Sequence, residues 1–211
     1  NNIKISAKPT SQFTVTPRPG CVNLPVTFIN QTVAGCFITG STTTSVSSFT
    51  WNFGDGTPVV TASSTGNQAH TYTATGTYNV TLTATNPCGT TTVTHQVYII
   101  GPPVAAFTNT PAGCATVTVN FTNQSTGDSL HYNWGVASST GTSFTGGTNN
   151  TSTNPNIQFT TAGTFTVTLT TSNSCATSIA DTILTIKSPP IVTLAAIPGG
   201  CAPYTVTPSA T

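Results

Sequence analysis

The sequence predicts an all-β chain arranged as tandem sandwiches, and three observations carry that reading. Val and Thr alternate through long tracts that 18 Gly and 15 Pro interrupt, the period of two expected where alternate side chains face a core. No stretch spaces its apolar residues at three and four, Met is 0 and Glu is missing, so helices have neither pattern nor composition in their favour. The chain also matches itself, segment by segment in the same order, with a unit of about ninety residues, as arrays of like units do.

The first unit is the clearest. Alternation places strands at roughly 11–16, 22–30, 48–54, 58–62, 67–73, 77–86 and 91–100. Their inward candidates are Phe13, Val15, Val26, Phe28, Phe49, Trp51, Phe53, Tyr72, Tyr78, Val80, Leu82, Val93, Val97 and Ile99. After the third strand, Gly54-Asp55-Gly56 reads as a turn, in which Gly accepts φ > 0 and Asp caps neighbouring amides. The second unit repeats the order: Gly20-Cys21 matches Gly113-Cys114, Trp51 matches Trp134, Gly76-Thr77-Tyr78 matches Gly163-Thr164-Phe165, and Asn86-Pro87-Cys88 matches Asn173-Ser174-Cys175. Pro102-Pro103 and Pro189-Pro190 mark hinges. The expected division is 1–8, the last strand of a preceding domain; 9–101, a complete domain; 102–188, a degenerate copy; and 189–211, the start of a further one. Asn1-Asn2-Ile3-Lys4 carries no secretory-leader pattern, so the chain is read as a mature protein or a piece of one, a window on a longer array.

Short strands at regular spacing, a core Trp on the third and a Tyr near the start of the sixth indicate immunoglobulin-like sandwiches. Trp51-Asn52-Phe53-Gly54-Asp55-Gly56, then His70-Thr71-Tyr72, then Gly76-Thr77-Tyr78-Asn79-Val80-Thr81-Leu82 resemble, in that order, the hallmark of PKD domains over residues 9 to 100. The signature residues are thus Trp51, Gly54, Asp55, Gly56, Tyr72, Gly76 and Tyr78, with Trp134 in the second unit. That unit departs from the pattern: Val136-Ala137-Ser138-Ser139 stands where the first has Phe53-Gly54-Asp55-Gly56, and Ile157-Gln158-Phe159 replaces His70-Thr71-Tyr72. The resemblance implies non-catalytic, PKD-like modules of a large extracellular protein. Gly-Cys before the second strand and Asn-x-Cys after the sixth are similar to arrays in surface adhesins and secreted proteins of Bacteroidetes, gliding-motility adhesins among them.

Composition narrows the functions further. Only 3% of residues are charged, against about a quarter in a typical soluble protein. A net charge of +1 leaves no footprint for nucleic acid or an anionic membrane surface, and no apolar run approaches the roughly 20 residues of a membrane span. Neither nucleic acid nor membrane insertion is expected. Three Asp, three His and no Glu offer little for acid–base work, no Ser occupies a nucleophile elbow, and no second carboxylate is placed for glycoside chemistry. No enzyme, catalytic residue, metal or other cofactor is expected. Thr57-Pro58-Val59-Val60 after Gly-Asp-Gly reads as a strand, whereas a phosphate loop needs a helix N-terminus there. His70 is read as tying the turn before the sixth strand, and His95 and His131 as strand-end or loop residues.

Six cysteines suit an oxidising, extracellular setting. In the sandwich Cys21 begins the second strand at one end and Cys88 follows the sixth at the other. A strand of eight to ten residues spans roughly 25–35 Å, far beyond the ~6 Å Cα separation of a disulfide. The expected pairs are therefore Cys36 with Cys88 inside a domain and Cys21 with Cys175 across the diproline hinge, with Cys114 and Cys201 pairing elsewhere. A stapled hinge would make a rod of the array. Asp128-Ser129-Leu130 and Asp181-Thr182-Ile183 resemble the Asp-Ser/Thr-apolar acceptor of Bacteroidetes O-glycosylation, which nominates Ser129, in an accessible loop, and Thr182, which shares the inward parity of Leu184 and Ile186. The expected function is a structural and adhesive segment, a stiff stalk or filament at the cell surface. Its partners would be neighbouring repeats, other copies of the chain or surface polysaccharide. The alternative is an accessory spacer or glycan-binding module of a secreted hydrolase.

Overall fold

The computed structural model describes residues 7–35, 48–137 and 140–192, and among them every regular element is a β-strand. They divide between two compact units, one drawn from Asn1–Val104, Ser125–His131 and Thr171–Ser178, the other from Ala105–Gln124, Tyr132–Thr170 and Ile179–Thr211.

In chain order the first unit contributes β1 (Phe13–Thr16), β2 (Gly20–Cys21), β3 (Pro25–Asn30), β4 (Ser48–Asn52), β5 (Val60–Ala62), β6 (Gln68–Thr71), β7 (Gly76–Asn86) and β8 (Gly89–Ile100). They form a three-stranded sheet, β1-β3-β6, and a five-stranded sheet, β2-β8-β7-β4-β5. The expected strand 22–30 is in fact split between the two sheets. Gly20 and Cys21 pair in parallel with Ile99 and Ile100, and then Asn23, at φ 62°, turns the chain so that Leu24 N–H donates to the Cys21 carbonyl at 3.2 Å. Asn tolerates that left-handed conformation and Pro25 brings no amide to a ladder, so the chain crosses from one sheet to the other here. The expected strand 48–54 ends at Asn52 because residues 53–57 are occupied by the turn described below.

Period-two patterning pays out in burial. Phe13, Val26, Phe28, Phe49, Trp51, Phe53, Tyr72, Val80, Leu82, Val97 and Ile99 are buried together, and Val15, Tyr78 and Val93 pack half-buried against them. Each large side chain removed from water contributes about 1.5–3 kcal/mol. The opposite face of the β7–β8 hairpin is a hydroxyl ladder: Thr81 lies opposite Thr94, Thr83 opposite Thr92 and Thr85 opposite Thr90, with Oγ1–Oγ1 distances of 3.1, 3.1 and 3.0 Å. Such cross-strand pairs stabilise a sheet without charge.

The second sandwich is built from β9 (Phe107–Asn109), β10 (Val117–Asn123), β11 (His131–Ala137), β12 (Thr142–Thr145), β13 (Asn156–Phe159), β14 (Gly163–Ser172) and β15 (Thr177–Ile186), in sheets β12-β13-β10-β9 and β11-β14-β15. The same aromatic trio sits at the centre of each core. Phe13 and Phe28 lie 5.1 and 5.8 Å from Trp51; Phe107 and Phe121 lie 5.0 and 5.5 Å from Trp134. The fourth strands differ. β5 folds back onto β4, with Trp51 opposite Val60, whereas β12 joins β13 in the other sheet, with Phe144 opposite Ile157. The Gly-Asp-Gly turn that reverses the chain after β4 has no counterpart in the sequence after β11, so nothing there directs a hairpin.

Candidate functional site

The turn after β4 is built from Asp55 outward. Asn52 Oδ1 accepts from Gly54 N–H at 2.9 Å. Gly54 stands at φ 78°, and a Cβ there would come within 2.6 Å of the Asn79 carbonyl oxygen; only glycine fits. Asp55 Oδ1 accepts from the Thr57 amide at 3.1 Å and its hydroxyl at 2.6 Å, and Asp55 Oδ2 meets His70 Nε2 at 2.7 Å. Both carboxylate oxygens are thereby occupied. Partial burial is the largest single influence on Asp55 and pushes its pKa up. The Thr57 hydroxyl, His70, the Thr57 amide and the charge of His70 together outweigh it and bring the carboxyl down to about 2.

His70 therefore holds Asp55 rather than the turn before the sixth strand expected from sequence. Its ring stacks on Phe53 at 4.1 Å and meets Tyr72 edge-on at 4.7 Å. Tyr72 donates from its hydroxyl to the Phe53 carbonyl at 3.1 Å, and burial, with the charges of Asp55 and Tyr78, pushes its phenol well above the ordinary value. Tyr78 donates to the Ala74 carbonyl at 2.9 Å, the tie of a tyrosine corner. Chemically, the arrangement is a turn lock. In the second unit Ile157 and Phe159, both buried, replace the polar pair with apolar packing, and Phe159 meets Phe165 at 5.0 Å. Ser138, matched to Asp55 by sequence, lies outside the described residues.

Cys21, Cys88 and Cys175, with the asparagines before the last two, form a second constellation, contained in the first compact unit. Cys21 is bonded to Cys175 with a Cα separation of 5.5 Å across 154 positions of sequence, the pair expected from strand topology. Two residues before Cys175, Asn173 accepts on Oδ1 from the Cys175 and Ala176 amides at 2.9 and 3.1 Å. Its Nδ2 donates to the Gly101 carbonyl at 2.9 Å and the Asp128 carbonyl at 3.2 Å. Asn86 repeats the device before Cys88: Oδ1 accepts from the Cys88 amide at 2.9 Å, and Nδ2 donates to the carbonyls of Ala7 at 3.0 Å and Ala34 at 2.8 Å. In each case one carboxamide clips the turn, the segment before a proline and the loop after the second strand of a sandwich. The recurrence of Asn-x-Cys marked these positions in the sequence, but the role of the Asn was not read from it.

Cys88 is disulfide-bonded; its expected partner Cys36, like Cys201, lies outside the described residues. Cys114 carries a free, exposed thiol. Its backbone setting matches that of Cys21. Cys114 bridges Lys187 in parallel with Ala115 N–H on the Lys187 carbonyl at 3.0 Å, as Val22 N–H lies on the Ile100 carbonyl at 3.0 Å. Ser129 is exposed in the loop between β10 and β11, and Thr182 is half-buried on β15 between exposed neighbours. His131 opens β11, whereas His95 lies in the middle of β8, its ring 4.5 Å from Phe13, and not at a strand end as expected.

Among the described residues no three of His, Cys, Asp and Glu gather as a metal site would require, and no helix is long and apolar enough to cross a membrane. No curated protein matches the chain. Among solved structures, the I-band fragment I67–I69 of titin superposes with a TM-score of 0.57 at 14% identity, covering 88% of this chain and 68% of that one. The N-terminal eight immunoglobulin domains of DSCAM give 0.51 at 14%, covering 87% and 25%. Domains 3–5 of Drosophila OTK give 0.50 at 17%, covering 85% and 62%. These likenesses establish the immunoglobulin-like sandwich, and within it residues 9–100 match the family model of the PKD domain.

Proposed function

We propose that the chain is a non-catalytic structural and adhesive segment of a long extracellular repeat protein, serving as a stiff stalk or filament at the cell surface. The observation that carries this reading is the Cys21–Cys175 bond with Asn173 clipped to the Gly101 and Asp128 carbonyls beside it. A covalent bond and two hydrogen bonds around a diproline remove bending freedom that a linker would otherwise keep. The disulfide also suits an oxidising compartment. In this reading the domains run 1–8, 9–101, 102–188 and 189–211, and the sequence resemblance to Bacteroidetes surface adhesins supplies the cellular setting.

The same logic extends to the other cysteines. Cys114, set in its backbone as Cys21 is, bonds to the Asn-x-Cys cysteine of a further module, Cys88 bonds to Cys36, and Cys201 repeats the position of Cys114. Ser129, exposed beside Asp128, is the better glycan acceptor, and the half-buried Thr182 the poorer. A non-reducing peptide map of native protein reads all of this: linkage of Cys36 to any cysteine but Cys88, or an unmodified Ser129 peptide, removes the corresponding assignment. Stiffness itself is read by small-angle scattering of the oxidised chain against the double variant Cys21→Ser, Cys175→Ser. The variant should show a broader and larger distribution of dimensions. Identical profiles would leave the stalk reading without its support.

A further inference from the structure

Two adjoining cavities of about 440 and 270 Å³ open on the first compact unit and share Tyr98, Ile100 and Asp128. Arg18, Pro19 and Ser129 complete the larger, and Thr75, Gly76, Thr77 and Ile99 the smaller. Tyr98 is the anomaly on its strand. Its outward neighbours on β8 are Thr92, Thr94 and Gln96, yet this aromatic ring is left 48% exposed, tethered at its hydroxyl to Gln96 Oε1 at 3.3 Å.

Charge is equally out of character. In a chain with four Lys or Arg and three Asp or Glu, Arg18 and Asp128 meet the same cavity. They do not neutralise each other by contact, since the one ion pair among the described residues is Asp55 with His70. The backbone around them is fixed before any ligand arrives. Asn173 holds the Gly101 and Asp128 carbonyls, and Cys175 lies against the Ile100 carbonyl at 3.7 Å while bonded to Cys21. Preorganised walls reduce the ordering cost of binding.

We infer that this cleft binds a neutral hexose unit of a polysaccharide, stacked on Tyr98. Opposed charges cancel at distance, so the site attracts neither a polyanion nor a polycation. At contact the guanidinium only donates and the carboxylate only accepts. Sugar hydroxyls do both, and can satisfy the two together with the hydroxyls of Thr75 and Thr77. The half-wet phenol ring offers an apolar face with a polar tip, the complement of a pyranose with its C–H face and equatorial hydroxyls. The combined space lies in the range of small-ligand sites and admits more than one sugar residue. The inference rests on the same Cys21–Cys175 bond as the stalk reading, yet the two fail separately: a stiff chain without sugar affinity would still be a stalk, and the titration below does not read stiffness.

The test titrates the oxidised 211-residue chain, unglycosylated, with neutral hexasaccharides derived from cellulose, mannan and galactan, and in parallel with an oligogalacturonate. Amide shifts and calorimetry are the readouts. At least one neutral hexasaccharide should bind with a Kd on the order of 1 mM or tighter and shift the amides of Tyr98, Ile100 and Ser129. Tyr98→Ala and Asp128→Asn should each weaken it about tenfold or more with an unchanged melting temperature, and Thr92→Ala, on the same sheet face outside the cavity, should leave it intact. The inference is overturned if only the oligogalacturonate binds, if the shifts map elsewhere, if neither cavity variant weakens binding, or if none of the sugars binds.

Discussion

Asp55 stabilises the fold through the proton it refuses. Its carboxyl is held at about 2 in the folded chain against 3.8 ordinarily, so the contribution is fully present above the unfolded value and is lost as pH falls through the folded one. A shift of that size corresponds to about 2 kcal/mol. Asp55→Asn should therefore lower stability at neutral pH by roughly 1–3 kcal/mol and flatten the loss that the parent chain shows between about pH 4 and 2. Denaturant unfolding across that range checks it, and a parallel pair of pH profiles would show that the carboxylate carries no linkage. The sequence made Asp55 legible as a turn residue because Gly-Asp-Gly is a local signal. His70 as its partner was not legible, because the contact spans 15 positions and joins a turn to a strand of the opposite sheet.

Strand parity was readable for the same reason that burial is periodic: every inward candidate from Phe13 to Ile99 packs in or against the core. Sheet membership was not. Alternation says which residues face inward but not which neighbour supplies hydrogen bonds, so neither the crossing at Asn23 nor the different partners of β5 and β12 could be read from it. β15 shows the parity principle turned to solubility. It is an edge strand whose outward face sets Ile179 and Ile183, 66% and 69% exposed, on either side of Asp181. A charge on an exposed edge opposes pairing with another chain, and here one Asp separates two apolar side chains. Asp181→Val should leave the melting temperature within a degree or two but bring on aggregation, read as rising light scattering at fixed concentration; unchanged scattering over days at high concentration would dismiss the gatekeeper role.

At the scale of the whole chain, recurrence was the informative signal. Gly-Cys and Asn-x-Cys recur in step, and strand length against disulfide reach decided between pairings, so Cys21–Cys175 was accessible to reasoning. The cleft was not, because residues 18, 98 and 128 come from three distant parts of the sequence and no short motif joins them. Closing a loop of 154 positions also stabilises the folded state by about 5 kcal/mol in the chain-entropy account, a large increment on the scale of a small domain.

The position of that bond has one more effect. A pull on the two ends of the chain passes from Cys21 directly to Cys175, a sequence separation of 154, and leaves the segment between them outside the line of tension. Both aromatic cores are mostly built from slack chain, and a stretched molecule can tear without spilling it. At ~3.5 Å per extended residue the bypassed segment stores roughly 500 Å. Single-molecule stretching should release that length from the fully reduced chain and withhold it from the oxidised one; equal final lengths would mean that the bond does not bear the pull.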